Sequence, residues 1–175
     1  MENVITKHYT LENEVETALF AQKMAQAIQN IFCSNFGLVV YLQGDLGAGK
    51  SFFSRAFIQY FLPQQKVKSP TYTIVESYQS SLTTIHHFDL YRLSDPEELE
   101  YLAIRDLLMP PFIALVEWPQ KGVGVLPSAD IVMALQHVGT AKESDFDTRL
   151  LSLSSHSRRG DEILKIIQKS TASEK

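Results

Sequence analysis

The chain has little cysteine and no long apolar run. Its 175 residues include one cysteine, Cys33, which excludes an internal disulfide and a zinc site made of cysteines. No apolar stretch approaches the roughly 20 residues that a membrane-spanning helix needs. The first residues carry an early acid and no apolar segment, so we expect no signal peptide and a cytoplasmic protein. Cys33 follows an apolar helical pattern, which predicts a buried structural thiol rather than a reactive one.

An excess of positive charge is also missing. The formal net charge is −4, and the longest basic cluster is the pair Arg158-Arg159. Proteins that hold nucleic acid by its phosphates usually present a basic face. Direct RNA or DNA binding by this chain alone is therefore not supported, although an uneven charge distribution leaves it open. No internal repeat or low-complexity linker divides the chain, so we expect one domain over residues 1–169 and a frayed tail over 170–175.

The most informative stretch is the phosphate loop, residues 44–51, with the sequence GDLGAGKS. It fits the pattern GxxxxGK[ST] and lies between an expected strand at 38–42 and an expected helix at 52–61. Its glycines let backbone N–H groups approach phosphate oxygens, and the helix N-terminus adds donors and partial positive charge. Lys50 supplies a charge for the outer phosphates, and Ser51 supplies a hydroxyl for Mg²⁺. A glycine-rich turn that binds nothing is the alternative, but the pattern and its flanks favour a bound ATP or GTP.

Hydrophobic periodicity predicts strands mixed with helices along the rest of the chain. A strand at 4–9 precedes a helix for which Asn13 and Glu16 form a capping box. Six apolar residues then recur at helical spacing: Val15, Ala18, Ala21, Ala25, Ile28 and Phe32. The later half of 67–78 and residues 82–88 favour a hairpin, and a helix from Asp95 to about residue 108 precedes a strand at 112–117. Strands at 131–138 and 148–153, then a helix at 162–168, complete the pattern.

These elements predict an α/β fold of the P-loop NTPase type. We expect a mainly parallel sheet flanked by helices, with antiparallel hairpins. In such sheets ligands bind at the carboxyl edge of the strands, so the nucleotide is expected there.

A phosphate loop needs a second acid to position Mg²⁺, and two strands end in one. Glu117 ends a fully apolar run of the kind that central parallel strands show, so we assign it to the metal, directly or through water. Asp89 ends a more polar run, and we assign it to the attacking water or to the water shell of the metal. Each could instead be an ordinary strand-end acid paired with a lysine.

Three neighbouring features have open interpretations. His86 and His87 are adjacent on a strand and face opposite sides, so a shared metal is not expected; one should be packed or hydrogen-bonded and the other exposed. Residues 69–71, Ser-Pro-Thr, lie where nucleotide switches carry a hydroxyl that senses the γ-phosphate, and they could equally form a plain turn. Trp118 could be a wall of the site or part of the core, and core packing is favoured.

Missing motifs narrow the class of nucleotide protein. The guanine-reading pattern Asn-Lys-x-Asp and the transporter pattern Leu-Ser-Gly-Gly-Gln are both absent. A small-molecule kinase expects an arginine-bearing lid, for which the scattered Arg92 and Arg105 give only weak support.

Five blocks together resemble the TsaE family, formerly called YjeE. The blocks are GDLGAGKS at 44–51, VKSPTYT at 67–73, HFDLYRL at 87–93, DPEELE at 95–100 and VEWP at 116–119, and the resemblance spans about residues 13–153. It implies an ATPase, with ATP and Mg²⁺, that acts with the TsaD–TsaB complex. That complex transfers a threonylcarbamoyl group to the adenosine beside the anticodon in tRNAs that read codons beginning with A. ATP turnover would reset the complex between rounds, and contact with tRNA would be indirect.

Carried over position by position, the resemblance implies catalytic roles for Lys50, Asp89 and Glu117. It implies a nucleotide-binding set of Leu11, Thr17, Asp45, Leu46, Gly47, Ala48, Gly49, Lys50 and Ser51. Position 52, the residue directly after the loop, is added to this set and is a phenylalanine. Arg149 matches a recurrent arginine near the nucleotide. Two positions depart from the family, since Ser51 stands where threonine is usual and Ala103 where glycine is frequent. Two other functions stay open, namely a nucleotide-gated assembly module in which hydrolysis is incidental, and a small-molecule kinase.

Overall fold

The computed structural model describes residues 4–138 and 148–172, and this part of the chain forms a seven-stranded sheet with helices against it. The strands are β1 (Thr6–Leu11), β2 (Gly37–Gln43), β3 (Val75–Gln79), β4 (Thr84–Asp89), β5 (Phe112–Glu117), β6 (Ile131–His137) and β7 (Arg149–Ser155). The helices are α1 (Glu14–Asn30), α2 (Lys50–Phe61), α3 (Glu98–Tyr101), α4 (Ile104–Leu107) and α5 (Arg158–Ala172), and a 3₁₀ turn covers Pro119–Gly122.

The centre of the sheet is parallel and its margins are antiparallel. The strand order is β1-β7-β6-β2-β5-β4-β3. Parallel pairing joins β6 to β2, β2 to β5 and β5 to β4. Antiparallel pairing joins β1 to β7, β7 to β6 and β4 to β3. The predicted mainly parallel α/β sheet with antiparallel hairpins is confirmed, although the connection between β6 and β7 lies outside the described residues.

Apolar packing on both faces explains the composition of the central strands. β5 is buried at every position from Phe112 to Glu117, as expected of a strand covered on two sides. One core lies against α1, α2 and α5, and a smaller core lies against α3 and α4. In the parallel register of β4 and β5, Asp89 is paired with Glu117, so both predicted acids reach the same edge of the sheet.

The capping of α1 is close to the prediction, but the expected buried face is partly wrong. The Asn13 side chain accepts from the Glu16 N–H at 2.9 Å, while the Glu16 carboxylate accepts from the N–H of Glu12 rather than from that of Asn13. With this start the face that turns inward is Thr17, Phe20, Ala21, Met24, Ala25, Ala27 and Ile28. Val15, which we expected in the core, is 67% exposed. Cys33 is exposed, contrary to the expectation of a buried thiol, because α1 ends at Asn30 and the cysteine lies in the turn beyond it.

The helix expected over 95–108 is interrupted. Asp95 accepts from the Glu97 N–H as a start signal, but the chain forms two four-residue helices, α3 and α4. Between them Ala103 adopts a left-handed conformation with φ 51°. This is the position where the resembled family often has glycine, which takes positive φ without steric cost. Helical periodicity could not reveal the break, since alanine is otherwise the best helix former.

The C-terminal helix is longer than predicted. The expected helix at 162–168 is part of α5, which runs from Arg158 to Ala172 and so includes the first residues of the expected tail. The proposed division into one domain and a frayed tail stays a prediction. Within residues 4–138 and 148–172, no helix has the length and apolar character required to cross a membrane.

Candidate nucleotide-binding site

The phosphate loop lies between β2 and α2, as predicted. Gly44 has φ 142° and sits so close to β6 that a Cβ there would lie 2.4 Å from the Leu135 carbonyl oxygen. Gly49 has φ 104° and caps α2, which begins at Lys50. These glycines allow the chain to turn sharply from a buried strand into a helix whose first N–H groups face the cavity.

Lys50 is folded back onto the loop. Its Nζ donates to the carbonyl oxygens of Gly44 at 2.7 Å and Asp45 at 2.8 Å, and it lies 4.2 Å from the centre of the Trp118 ring. Burial lowers the pKa of Lys50, while the carboxylates of Glu117, Asp89 and Asp45 oppose this shift. The ammonium is thus held by weak carbonyl acceptors at a place where a strongly anionic ligand would be a better partner.

Glu117 lies at the carboxyl end of β5 and is 2% exposed. One carboxylate oxygen, Oε2, accepts a hydrogen bond from the Ser51 hydroxyl at 2.9 Å. The other, Oε1, lies 2.7 Å from Nε2 of His87. The acid predicted from the end of an apolar strand therefore meets the hydroxyl predicted from the phosphate loop.

Asp89 connects the site to the Ser-Pro-Thr segment. Its Oδ2 accepts from the Ser69 hydroxyl at 3.3 Å, and its Oδ1 accepts from the Tyr91 N–H at 3.1 Å. Ser69 also shares a hydrogen bond with the Thr71 hydroxyl at 2.9 Å. The Asp89 backbone N–H donates to the Ile74 carbonyl at 2.9 Å, so the segment between Ser69 and Ile74 is tied to Asp89 at both ends, through the carboxylate at Ser69 and through the backbone at Ile74.

Arg149 holds the opposite side of the loop. It is 3% exposed, and its Nε donates to the Ala48 carbonyl at 3.2 Å. Its Nη1 donates to the Thr17 hydroxyl oxygen at 3.5 Å, and its Nη2 lies 3.9 Å from Glu14 Oε1. Leu11 is paired with Arg149 across β1 and β7. Leu11 and Thr17 are buried beside this arginine rather than lining the cavity, so their assignment to the nucleotide stays a prediction.

These groups surround a cavity of about 500 Å³ over the loop. That volume is in the range of small-molecule and cofactor sites, roughly 300–1,000 Å³. Several residues proposed from the sequence line it: Leu46, Gly47, Gly49, Lys50, Ser51, Phe52, Asp89 and Glu117. Asp45 and Ala48 belong to the loop but lie outside this lining.

Trp118 packs against the smaller core, as the sequence favoured, and it also lines the cavity, which was the alternative. It stands in a left-handed conformation with φ 58°, and its ring centre lies 5.0 Å from that of Tyr91. Glu14, Tyr91 and Arg92 also line the cavity without having been assigned to it from pattern alone. Tyr91 and Arg92 follow Asp89 at a strand end, where loops commonly carry binding residues, and that position was the available signal.

The two histidines are both buried, although one of them was expected to be exposed. His86 is 4% exposed and His87 is 1% exposed, because helices cover both faces of β4 near its end. The Nδ1 of His86 lies 2.8 Å from the hydroxyl of Ser77, its partner residue on β3. His87 lies on the same face as Asp89, two residues along the strand. The two rings therefore lie on opposite faces of the strand, as expected for adjacent residues.

The oxygen groups suit a magnesium ion that arrives with a nucleotide. Mg²⁺ in phosphate-transfer sites is usually held by one or two carboxylates together with phosphate oxygens and water. Here the Ser51 hydroxyl and the Glu117 carboxylate meet at 2.9 Å, and Asp89 ends the neighbouring strand. Among the residues that the structure describes, no three His, Cys, Asp or Glu side chains form a ready metal site. The hydroxyl and the carboxylate therefore fit an ion whose other ligands are phosphate oxygens and water.

Known proteins resemble the chain in sequence and in fold. The family model "Threonylcarbamoyl adenosine biosynthesis protein TsaE" matches residues 11–145. A Haemophilus influenzae protein named "tRNA threonylcarbamoyladenosine biosynthesis protein TsaE" is 43% identical over 132 residues, covering 75% of this chain and 83% of the relative. A Rickettsia bellii protein of the same name is 35% identical over 144 residues, covering 82% of this chain and 91% of the relative. The crystal structure of Bacillus subtilis YdiB has the same fold, with a TM-score of 0.76, 22% identity, and coverage of 98% of this chain and 99% of that one.

Proposed function

Since this chain belongs to the TsaE family, we propose that it is a magnesium-dependent ATPase required to form threonylcarbamoyladenosine in tRNA. It acts in the cytoplasm with the TsaD–TsaB complex, which carries out the transfer chemistry. This assignment of partners follows from the family, and the acidic net charge of −4 agrees with a protein whose contact with tRNA is indirect.

One contact carries the proposal of ATP hydrolysis. Ser51 and Glu117 are 66 positions apart, yet the hydroxyl donates to the carboxylate at 2.9 Å inside a cavity of nucleotide size. A phosphate loop whose last hydroxyl meets a strand-end acid is the arrangement that phosphoryl-transfer sites use to place Mg²⁺. A glycine-rich turn with no ligand would have no need for a buried carboxylate at that point.

Each side chain then has a role. The loop N–H groups and the start of α2 bind phosphate oxygens, and Lys50 leaves its carbonyl partners for the outer phosphates. Ser51 and Glu117 would hold Mg²⁺, which would supply charge stabilisation for the transferred phosphoryl group. Asp89 orients the attacking water or a water of the metal, with Ser69 keeping its carboxylate in place. Arg149 lines the cavity and holds the loop through the Ala48 carbonyl.

A second candidate is a nucleotide-gated assembly module in which hydrolysis is incidental. The segment tied to Asp89 favours it, because Tyr72 in that segment is 84% exposed and Ile74 stands at φ 67°, an unusual conformation for a β-branched residue. A change at Asp89 could therefore reach the surface through only a few residues. No observation supports the third candidate, a small-molecule kinase.

The deciding experiment is a tRNA modification assay with purified TsaD and TsaB and ATP. We expect repeated rounds of modification only when this protein is added, and ATP hydrolysis that rises when the partners are present. The variant Glu117→Gln should bind ATP and the partners but support no repeated rounds. Full modification by that variant would favour the assembly module, and hydrolysis unaffected by partners that do not bind would remove the proposal.

A further inference from the structure

We propose that His87 is a positioning residue for the magnesium site, acting through Glu117. It holds one carboxylate oxygen so that the other faces the hydroxyl of Ser51. The inference rests on the proposed function, because it assumes that Glu117 serves a metal that arrives with the nucleotide.

The contact is short and fully enclosed. His87 Nε2 lies 2.7 Å from Glu117 Oε1, with the two side chains 1% and 2% exposed. The other oxygen, Oε2, is 2.9 Å from the Ser51 hydroxyl. The carboxylate is thus held at both oxygens, and only one of its two partners belongs to the phosphate loop.

The hydrogen-bond chemistry defines the direction of this contact. An ionised carboxylate only accepts, so Nε2 of His87 carries a proton and donates. The remaining nitrogen, Nδ1, is buried and has no hydrogen-bond partner among the residues that the structure describes. A buried polar atom without a partner is costly, and an apolar side chain of similar size would avoid that cost. The histidine is explained by what its Nε2 does for Glu117.

The neighbouring histidine provides a comparison within the same strand. His86 is also buried, but its Nδ1 pairs with the Ser77 hydroxyl and the ring also hydrogen-bonds to the Leu107 backbone. Its partners are therefore found in the hairpin and in α4, away from the cavity. A histidine that only packs at this depth can satisfy its nitrogens locally, whereas His87 satisfies just the nitrogen that faces the acid.

The register of the sheet explains why position 87 can do this. β4 and β5 are parallel with Asp89 paired to Glu117 and His87 paired to Leu115. Side chains two positions apart lie on one face, so His87 is diagonal to Glu117 and one step deeper in the sheet. His87 therefore contacts Oε1 of Glu117 from the interior of the sheet, and Oε2 is left to face the cavity and the Ser51 hydroxyl.

Loss of the hydrogen bond between His87 and Glu117 should change the affinity for Mg²⁺ more than the affinity for the nucleotide. Residues that orient a metal ligand typically change metal affinity or activity by about 10- to 100-fold when they are removed. Loss of the His87 bond should free Glu117 to rotate and should weaken Mg²⁺ binding. The loop and Lys50 would still hold the phosphates.

Three variants separate positioning from packing. His87→Gln places an amide nitrogen as many bonds from the backbone as Nε2, whereas His87→Asn places it too close to the backbone to reach. His87→Leu removes the donor and keeps the bulk. The matched control is His86→Gln, a change of an equally buried histidine on the opposite face.

The measurement is binding of a non-hydrolysable ATP analogue to the full chain at increasing MgCl₂, followed by calorimetry and by the fluorescence of the single tryptophan, Trp118. For His87→Leu and His87→Asn we expect the magnesium midpoint to rise about 10- to 100-fold, with binding in EDTA within about twofold of wild type. His87→Gln should recover most of the midpoint. His86→Gln should leave it unchanged while lowering the melting temperature.

An unchanged midpoint in His87→Leu would overturn the inference, and so would a His87→Gln that behaves like His87→Asn. If His87→Leu does not fold, the pair of glutamine and asparagine variants decides by the same criterion. A wild-type protein that binds the analogue equally well with and without Mg²⁺ would overturn the proposed function as well. That outcome is visible before any variant is made.

Discussion

The two ends of the parallel strands both contain buried polar groups, but the groups are paired in different ways. At the carboxyl end, Lys50 donates to backbone carbonyls, and one nitrogen of His87 has no hydrogen-bond partner in the described part of the chain. At the amino end, Asp130 precedes β6, and its carboxylate accepts hydrogen bonds from Val39 on β2 and from Ser157 just before α5. We call these two groups the site cluster and the anchor cluster.

The anchor cluster is closed on itself. The Asp130 carboxylate accepts from the Val39 N–H at 2.9 Å and from the Ser157 hydroxyl at 2.6 Å. Ser157 in turn accepts from the Gly160 N–H at 3.0 Å, which starts α5. Ser155 donates to Asp161 at 2.6 Å. Each of these bonds joins two elements or caps a helix, so the cluster stabilises the fold.

The site cluster has the opposite character. Its charges are close together, with Lys50, Asp89 and Glu117 around one cavity, and some of their partners are weak. Groups left in this state destabilise the empty protein and become useful when an anionic ligand and a metal complete them. The comparison suggests that polar burial alone does not identify a site, whereas incomplete pairing around a cavity does.

The largest expected effect separates the clusters by function. Lys50→Met should lower either the affinity for ATP or the rate of ATP hydrolysis on the order of 100-fold or more, because the substitution removes the charge that faces the phosphates. Its free energy of unfolding should stay within about 1 kcal/mol of wild type. Calorimetry with ATP and thermal melting test the two statements. A melting temperature that collapses together with binding would break the comparison.

The sign of the Lys50 effect on stability follows from its pKa. Burial lowers the pKa of Lys50 in the folded protein below its ordinary value of 10.5. The charged form is therefore disfavoured by folding, and this penalty is complete below the folded pKa and disappears as the pH rises to 10.5. At neutral pH, loss of the charge consequently offsets part of the cost of losing the two carbonyl contacts.

The second prediction concerns the anchor cluster. Asp130→Ala should lower the free energy of unfolding by about 2 to 3 kcal/mol, because the Val39 N–H and the Ser157 hydroxyl lose a charged acceptor. Below the melting temperature, ATP affinity should be unchanged. Asp130→Asn, which keeps one acceptor oxygen, is the matched control and should lose less. Weakened ATP binding at normal stability would show that the two clusters are not independent.

The smallest expected effect comes from a residue outside both clusters. Ala103→Gly should raise stability by about 0.5 to 1 kcal/mol, because φ 51° is strained for alanine and free for glycine. The same substitution at Ala18, inside α1, should lower stability by about 0.5 to 1 kcal/mol. Opposite signs in denaturant unfolding, with ATP binding unaltered in both proteins, are the expected result. Equal signs would mean that local backbone conformation does not govern position 103.

The sequence predicted the parts of the site that depend on local pattern. The phosphate loop is a contiguous motif, and Glu117 ends an apolar run that only a central strand would show, so the structure places both at one cavity. Trp118 packs against the smaller core and also lines the cavity, and an aromatic residue beside a strand end has no local signal that would predict both contacts. The expectation that one of the two histidines is exposed was also wrong. The second face of β4 packs against α3 and α4, which lie outside the sequence of the strand itself.

Some assignments lie between these cases. Leu11 and Thr17 were taken from the resemblance, and the structure places them around Arg149 instead of on the cavity surface. Val15 and Cys33 were placed by periodicity carried beyond the turn where it applies, which is the usual weakness at helix ends. The capping residue Asn13, by contrast, was recognised correctly, because a cap is a local hydrogen bond.

The sequence by itself therefore determined the loop, the strand that carries the second acid, and the class of fold, because each depends on neighbours within a few residues. Only the tertiary structure decided which side chains meet: Ser51 with Glu117, His87 behind the same carboxylate, and Ser69 on Asp89. These contacts depend on the parallel register of β4 and β5 and on α2 packing over their ends. Register is a property of paired strands, and no single stretch of sequence contains it.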